Sequence, residues 1–479
     1  MSSRRARYTL IGLFLAAATA APATHPRYGG RLKLHLPVRP TTLDPATCRD
    51  GGDVPTFDLL YHRLFEYGDD GDIESSFLLS FRREEDRWIL VPRPTPAAGG
   101  HVIDADDIRR AIEGGLKHAG FPATMTRRML VGGQEFASGQ AAVLPSLTQQ
   151  PDGTLVLQTA GIHPLLPHFL ARAPFYVAAE ADGQFYGNGP FMVANEAEEG
   201  ALVLAPNPAS SGGEPYLERL RVVWRRSLQE PMVELFPPPE SARAQAAEPL
   251  QVIPSRGIPR TLLLVLNPSK VPFGSPEARR NFISSVGLEK LSLSQELGVL
   301  KKRCGYLPSR LGAFPTVAAL SATDTPGPAS PVRIMMTRGD VLGAAEMVSV
   351  FPTGIEFEEL DEGQLLARMA SGEYQACLLA YEHRFFHPVL DLMEMLDCTG
   401  IVDPSVLDAM NQLTEAARLD DQSAVAAAVL AAEKSIAESG ILFPLAEISP
   451  VVRVDDRLRG LELDMRWNPA LDDCWIAGQ

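Results

Sequence analysis

The residues best suited to chemistry stand together at positions 380–388, directly after a run of apolar residues. The stretch reads Ala-Tyr-Glu-His-Arg-Phe-Phe-His-Pro. The guanidinium of Arg384 is a planar fork of donors, which favours carboxylate or phosphate groups. Glu382 lies two residues earlier and is an equally good partner for Arg384 within the chain. Two interpretations therefore stand: Arg384 binds an anionic ligand, or it forms a local ion pair.

Aromatic residues flank these two charged residues. Rings beside polar groups can line an amphipathic pocket, although they serve as often in the core or at a rim. Tyr381, Phe385 and Phe386 are the rings that can line such a pocket here.

Metal and catalytic chemistry have little support in the sequence. His383 and His387 are four residues apart, a spacing that brings two ligands together only on a helix, and this stretch reads as a loop. The chain has no GxSxG, HExxH or P-loop motif. The paired acids Asp69-Asp70 and Asp472-Asp473 stand in turn-like contexts, where a solvated loop explains them better than acid–base catalysis. We predict no metal, no cofactor and no catalytic residue, and hence a protein that is not an enzyme.

Composition argues for a soluble globular protein of several domains. The chain has 479 residues, of which 45% are hydrophobic and 22% charged, which is ordinary for such proteins and allows two or three domains. Its formal net charge is -15 at pH 7. Because no basic face is evident, nucleic acid is not an expected partner.

The first residues form a targeting segment. Arg4, Arg5 and Arg7 precede the apolar run Thr9–Ala18, which is short for a membrane span, and small residues that suit cleavage follow it. We predict a signal peptide at residues 1–23; an uncleaved anchor is the alternative. The first of the five cysteines is Cys48, too far from the apolar run for a lipid anchor. The cysteines include no CxxC motif, and their number is odd, so their pairing stays open.

Secondary structure can be predicted along most of the chain. Residues 185–224 read as a hairpin and a third strand, with Leu220 and Val222 on one face and Arg219 and Arg221 on the other. Apolar residues on one stripe predict a helix over Asp53–Tyr67. From Pro331 onwards strands and helices alternate, which indicates an α/β layer with a largely parallel sheet. The predicted strands there are Val332–Met336, Ile355–Leu360 and Tyr374–Ala380, and the predicted helices are Gly343–Val350, Glu362–Met369, Pro404–Leu419 and Gln422–Ser439.

Several short motifs, in order, resemble those of the family 5 extracellular solute-binding proteins. They are Thr41-Thr42-Leu43-Asp44-Pro45, Gly187-Asn188-Gly189-Pro190-Phe191, Asn207-Pro208 and Glu214-Pro215-Tyr216-Leu217-Glu218-Arg219. The resemblance implies an α/β, two-lobed periplasmic-binding-protein-like fold of type II, in the large peptide-binder class, with an extra subdomain in the first lobe. We accordingly expect lobe I at residues 24–261 with a subdomain at about 45–180, lobe II at 262–446, and a return to lobe I at 447–479.

The resemblance also implies a function. Members capture peptides, nickel chelates or other small solutes in the periplasm and deliver them to the permease subunits of ABC transporters, so we expect a periplasmic, monomeric binding protein for a peptide-like solute. The family's ligand-binding loop corresponds to positions 380–388, so the resemblance implies that Tyr381, Glu382, Arg384, Phe385 and Phe386 bind the ligand. In peptide binders of the family, an Asp in this loop pairs with the ligand's α-amine, and Arg384 takes its place here. An Arg would repel an ammonium group. The alternative hypothesis is a ligand sensor or scaffold of the same fold that does not serve transport.

Overall fold

The computed structural model describes most of the chain from residue 28 onwards. The predicted signal peptide and the first half of the predicted helix Gly343–Val350 lie outside the described residues. These are residues 28–36, 38–49, 52–68, 71–194, 196, 198–224, 232–235, 258–290, 299–302, 304–308, 311, 331–337, 347–449, 452–455, 457–463 and 469–477.

One six-stranded sheet, the first sheet, forms the base of the first lobe. Arg31–His35 lies inside it and pairs in parallel with both neighbours, and its Leu32 and Leu34 are buried. The predicted hairpin and third strand are confirmed as an antiparallel set at one edge. Arg219 and Arg221 form ion pairs with Glu196 and Glu198 in the hairpin connection. In spatial order the strands are Phe191–Val193, Ala201–Pro206, Arg219–Val223, Arg31–His35, Met232–Leu235 and Val452–Val454.

Between Arg31–His35 and Phe191–Val193 the chain makes a long excursion, which we call the inserted segment (residues 36–190). It contains a four-stranded antiparallel sheet, formed in order by Leu78–Glu84, Arg87–Pro92, Leu155–Gln158 and Leu147–Gln149. Helix Ala105–Leu116 begins at a capping box made by Asp104 and Asp107. Each carboxylate accepts a hydrogen bond from the backbone N–H of the other residue. The other described α-helices of this segment are Val54–Phe57, Phe121–Met129, Gly133–Ala137 and Leu166–Leu170.

The inserted segment also contains four two-stranded pairings. They join His62–Arg63 to Tyr176–Val177, Glu66–Tyr67 to Ile73–Glu74, Thr95–Pro96 to Val102–Ile103, and Ala179–Ala181 to Gln184–Tyr186.

The predicted helix Asp53–Tyr67 is wrong beyond its first turn. Only Val54–Phe57 is helical, and His62–Arg63 then pairs as a strand with Tyr176–Val177. The buried Arg63 side chain lies 2.6 Å from Asp58 and 2.7 Å from the Tyr176 hydroxyl oxygen. The contact with Tyr176, which is 113 positions away, requires an extended backbone at Arg63, and it outweighs a local apolar stripe.

The loop Gly187–Pro190 contains glycine because it approaches the backbone of residues 59–61 closely. The Gly189 N–H donates to the Leu60 carbonyl oxygen at 3.1 Å. A Cβ on Gly189 would lie 2.5 Å from the Leu60 carbonyl carbon, which is far inside van der Waals contact.

We therefore expect Gly189→Ala to lower the free energy of unfolding by about 2 kcal/mol, the cost of overpacking a rigid contact. Urea denaturation followed by circular dichroism measures it. Gly274→Ala is the matched control, because the nearest atom to a Cβ there is 3.9 Å away. Equal midpoints for the two variants would show that the loop moves away from Leu60 at little cost.

A second six-stranded sheet forms the base of the second lobe. Val332–Thr337 pairs in parallel with Ile355–Leu360 and with Ala376–Tyr381, which confirms the parallel arrangement predicted for the strands after Pro331, and the other three pairings of this sheet are antiparallel. The reason is that Arg260–Leu266 enters the lobe while Ala376–Tyr381 and Leu442–Ile448 run back, so this central strand opposes both neighbours. The order is Val299–Lys302, Leu442–Ile448, Arg260–Leu266, Ala376–Tyr381, Val332–Thr337 and Ile355–Leu360.

Five capped or proline-started helices complete the described part of this lobe. They are Pro276–Ser284, Glu362–Ser371, Pro388–Asp397, Pro404–Ala416 and Gln422–Ser439. The chain then returns to the first sheet through Val452–Val454. Two short pairings follow, Leu458–Arg459 with Trp475–Ile476 and Glu462–Leu463 with Pro469–Ala470. Among the described residues, no helix combines the length and the apolar character needed to cross a membrane.

The buried side chains form three clusters. One packs on the first sheet, and one covers a face of the second sheet. The third contains residues of the inserted segment, such as Phe169, together with second-lobe residues such as Phe385 and Leu413. None of the five cysteines, all of which lie in the described part of the chain, forms a disulfide bond. The inserted segment and the second lobe thus share a core.

Candidate functional site

The predicted ligand-binding loop connects two regular elements of the second lobe. Strand Ala376–Tyr381 ends at it, and helix Pro388–Asp397 begins directly after it with proline in its first turn. Tyr381 pairs with Thr261 in the strand that enters this lobe. The loop therefore stands at the end of the second sheet where the chain arrives from the first lobe.

Asp391 holds the loop in shape. Its Oδ1 accepts hydrogen bonds from the backbone N–H groups of Arg384 at 2.9 Å and Phe385 at 3.1 Å, and its Oδ2 accepts one from His387 at 3.2 Å. The side chain is fully buried. Burial raises the pKa of Asp391 to about 7, against the lowering effect of the backbone donors. Sequence reasoning missed this residue, although an acid in the first turn after a proline start is a signal for capping.

Arg384 forms the local ion pair that the sequence allowed. Its Nη2 lies 3.2 Å from Glu382 Oε2, and Arg260 Nη2 lies 3.3 Å from the same oxygen. The three side chains are between 14% and 23% exposed. An ion pair in such partly buried surroundings is screened less by solvent than a surface pair. Ligand binding by Arg384 and Glu382 stays a prediction.

Tyr381 is buried beneath the loop. Its hydroxyl oxygen lies 2.9 Å from the Asp391 carbonyl oxygen and 2.9 Å from Glu394 Oε2. Burial, with Glu394 and Asp391 nearby, raises the pKa of Tyr381 well above its usual value. The phenol is therefore a permanent hydrogen-bond donor that ties the end of the strand to helix Pro388–Asp397.

The two phenylalanines of the loop face the inserted segment. The Phe385 ring is fully buried, with ring centroids 5.1 Å from Phe169 and 6.0 Å from Phe121. Phe386 has a left-handed backbone with φ of 50°, and its ring lies 4.6 Å from that of Tyr67. In this structure both rings pack against protein, so their roles toward a ligand stay predictions.

The two histidines of the loop are neutral and packed. His383 Nε2 lies 2.8 Å from Thr261 Oγ1, and burial lowers the pKa of His383 to about 3. The His387 ring lies 5.2 Å from that of His168 in the inserted segment. Burial lowers the pKa of both, to about 3 for His387 and about 4 for His168. In the described parts of the chain, no group of three or more His, Cys, Asp or Glu residues is arranged to hold a metal ion.

An ion pair beside the loop was not foreseen from the sequence. Arg172, in the inserted segment, reaches Glu394 on helix Pro388–Asp397, with Nη2–Oε1 and Nη1–Oε2 distances of 3.1 and 3.3 Å. Its guanidinium carbon lies 4.4 Å from the centroid of the Phe385 ring. Because 222 positions separate the two ionic partners, no local pattern could have connected them.

A surface groove of about 480 Å³ lies elsewhere on the second lobe. It is lined by charged side chains that pair with one another, as Arg368 does with Glu358 at 2.9 Å. None of the five predicted ligand-binding residues lines it.

Comparison with known proteins supports the resemblance seen in the sequence. No protein-family model matches the chain. The chain is 27% identical over 231 residues to the probable D,D-dipeptide-binding periplasmic protein DdpA of Escherichia coli (strain K12), which is 45% of this chain and 43% of that protein. The chain thus matches less than half of the length of this curated relative.

Solved structures show the fold over nearly the whole chain. The periplasmic binding protein DppA of Helicobacter pylori, in complex with the peptide STSA, has a TM-score of 0.71 at 16% identity, covering 94% of this chain and 99% of that one. The murein tripeptide binding protein MppA of Escherichia coli gives 0.71 at 14% identity, covering 93% and 98%. Its unliganded open form gives 0.65. The prediction of an α/β, two-lobed periplasmic-binding-protein fold of the peptide-binder class is confirmed.

Proposed function

We propose that this chain, which has the fold of the peptide-binding periplasmic proteins and a resemblance to family 5, is a periplasmic substrate-binding protein of an ABC transporter. It captures a peptide-like or other small solute between its two lobes and delivers it to permease subunits. We further propose that residues 1–23 are a signal peptide, that the mature protein is a periplasmic monomer without a lipid anchor, and that it catalyses no reaction.

The observation that carries the proposal is the construction of the loop after Ala376–Tyr381. Asp391 fixes its backbone through three hydrogen bonds, and its phenylalanines contact the inserted segment. A loop that is rigid before binding loses little entropy when a ligand arrives. Its place where the two lobes meet suits a ligand that binds the closed state better than the open one.

Native mass spectrometry of protein purified from its own periplasm is the direct test. We expect a bound small molecule that denaturation releases unchanged. Small-angle X-ray scattering after removal and return of that molecule then reports how the lobes respond. A periplasmic preparation that contains no bound molecule, and that binds none from peptide, nickel-chelate or sugar pools, would contradict the proposal.

Within this site, we propose that Arg384 and Glu382 set the charge of the accepted solute. Arg384→Met removes the guanidinium that faces Glu382 Oε2 at 3.2 Å. We expect this variant to bind the retained solute about tenfold more weakly if that solute carries a carboxylate or phosphate. Isothermal titration calorimetry measures the change.

Arg333→Met is the matched control, because Arg333 is 60% exposed and its acidic partners lie 3.8 and 3.9 Å away, in the groove outside the loop. We expect that variant to bind as the parent does. Unchanged affinity for an anionic solute in Arg384→Met would assign Arg384 to the local ion pair alone.

A sensor or scaffold of the same fold is the second candidate. Arg384 favours this candidate, because a cation stands where peptide binders have the Asp that pairs with the ligand's α-amine. Arg384 pairs instead with Glu382. A pull-down from periplasm and solubilised membranes separates the two: a receptor domain without a permease supports the sensor, and a permease supports transport.

A further inference from the structure

The second lobe and the inserted segment are joined by a buried ionic contact beside the loop. Arg172 and Glu394 face each other through two N–O distances of 3.1 and 3.3 Å, and their side chains are 2% and 11% exposed. The paired geometry is the one in which a guanidinium binds a carboxylate most specifically. Neither charge is stable alone at such burial, because desolvation is costly without a partner.

The same guanidinium also packs on the loop. Its central carbon lies 4.4 Å from the centroid of the Phe385 ring, which is within cation–π distance. Glu394 in turn lies 2.9 Å from the hydroxyl of Tyr381, at the other end of the loop. One arginine from the inserted segment therefore touches the loop directly and also through Glu394.

Aromatic contacts between the two parts surround this ion pair. Phe169 packs on Phe385, Tyr67 packs on Phe386, and His168 packs on His387. Because the rings exclude water, the charged pair lies in surroundings where its attraction is stronger than in solvent. The two histidine rings add no charge near neutral pH, since burial lowers the pKa of each.

We propose that Arg172 is a positioning residue that latches the inserted segment to the second lobe, so that the packing of these two parts and the shape of the loop are held by the protein's own contacts before a solute binds. Arg172 does not contact the solute. It acts through Phe385 and Glu394. The role of this contact before solute binding rests on the proposed function, whereas the latch itself does not.

The latch predicts how the lobes behave without any solute. We expect the solute-free parent protein to be compact in small-angle scattering, and Arg172→Met to be expanded, with the closed-to-open ratio lowered about tenfold or more. Arg172→Lys keeps the charge but loses the fork, and we expect an intermediate profile. Arg83→Met is the control, because Arg83 also pairs across the contact between the inserted segment and the second lobe. Its partner Asp420 is 67% exposed, and such exposed ion pairs contribute little to stability.

A second variant distinguishes the loss of this contact from a failure of Arg172→Met to fold. Arg172→Met leaves Glu394 buried without this partner, so Arg172→Met/Glu394→Met replaces both charges by apolar groups of similar length. We expect the double variant to fold and still to be expanded, because methionine reproduces neither the contact of Arg172 with Phe385 nor the hydrogen bond of Glu394 with Tyr381. A double variant as compact as the parent, or an Arg83→Met variant as expanded as Arg172→Met, overturns the proposal.

Discussion

Replacing Asp391 by alanine is expected to lower the free energy of unfolding by about 3 kcal/mol, because three backbone N–H groups would lose their acceptor. These are the N–H groups of Arg384, Phe385 and His387. No water can replace the carboxylate easily, since Asp391 is fully buried. Guanidinium denaturation measures the loss, and hydrogen exchange at the three amides shows whether it is confined to the loop.

Asp408→Ala is the matched control for this variant. Asp408 lies on the next helix, is exposed, and accepts one hydrogen bond from Gln412 on the same helix. We expect its removal to change the unfolding free energy by less than about 0.5 kcal/mol. If both variants are equally stable, the three hydrogen bonds do not organise the loop.

The second large effect concerns Glu433, in the middle of helix Gln422–Ser439. Its side chain is 5% exposed, and its Oε1 has no hydrogen-bond partner in the described structure. Burial raises the pKa of Glu433 to about 7. Glu433→Gln is expected to raise the unfolding free energy at pH 8 by roughly 3 kcal/mol, because the glutamine never has to ionise inside the protein.

The sign of the pH dependence follows from the raised pKa. The folded state holds the proton on Glu433 more tightly than the unfolded state does, so this stability is fully present below about pH 4 and is lost as the pH rises through 7. We expect Glu433→Gln to flatten the fall of stability between about pH 4 and pH 7, measured by denaturation at several pH values. Glu438→Gln is the control on the same helix, because Glu438 is 69% exposed. An equal slope in both variants would contradict this account.

Elements with local signals were predicted well. Helix Gln422–Ser439 has its predicted bounds, since Asp421 caps its start and Gly440 ends it in the left-handed conformation. Strand Arg260–Leu266 contains the continuous apolar run Leu262–Leu266, a local signal of a buried strand. In both elements, the residues that determine an end of the element lie within one or two positions of that end.

Features that depend on distant partners were missed. The apolar stripe predicts a helix over residues 58–67. The local sequence does not reveal that Arg63 contacts Tyr176, which lies 113 positions away. The contact of Arg172 with Glu394 spans 222 positions. The resemblance to family 5 indicates where the loop lies, yet the packing of Phe385 against Phe121 and Phe169 depends on how two parts of the chain meet.

The return of the chain to the first sheet has a consequence for biosynthesis. Strand Arg31–His35 leaves the ribosome long before Val452–Val454, which forms the far edge of the same sheet. The core of the first lobe also includes Leu471, Cys474 and Ile476. A growing chain thus carries an unfinished hydrophobic surface until these later residues have been made, and chaperones have that interval in which to hold it unfolded.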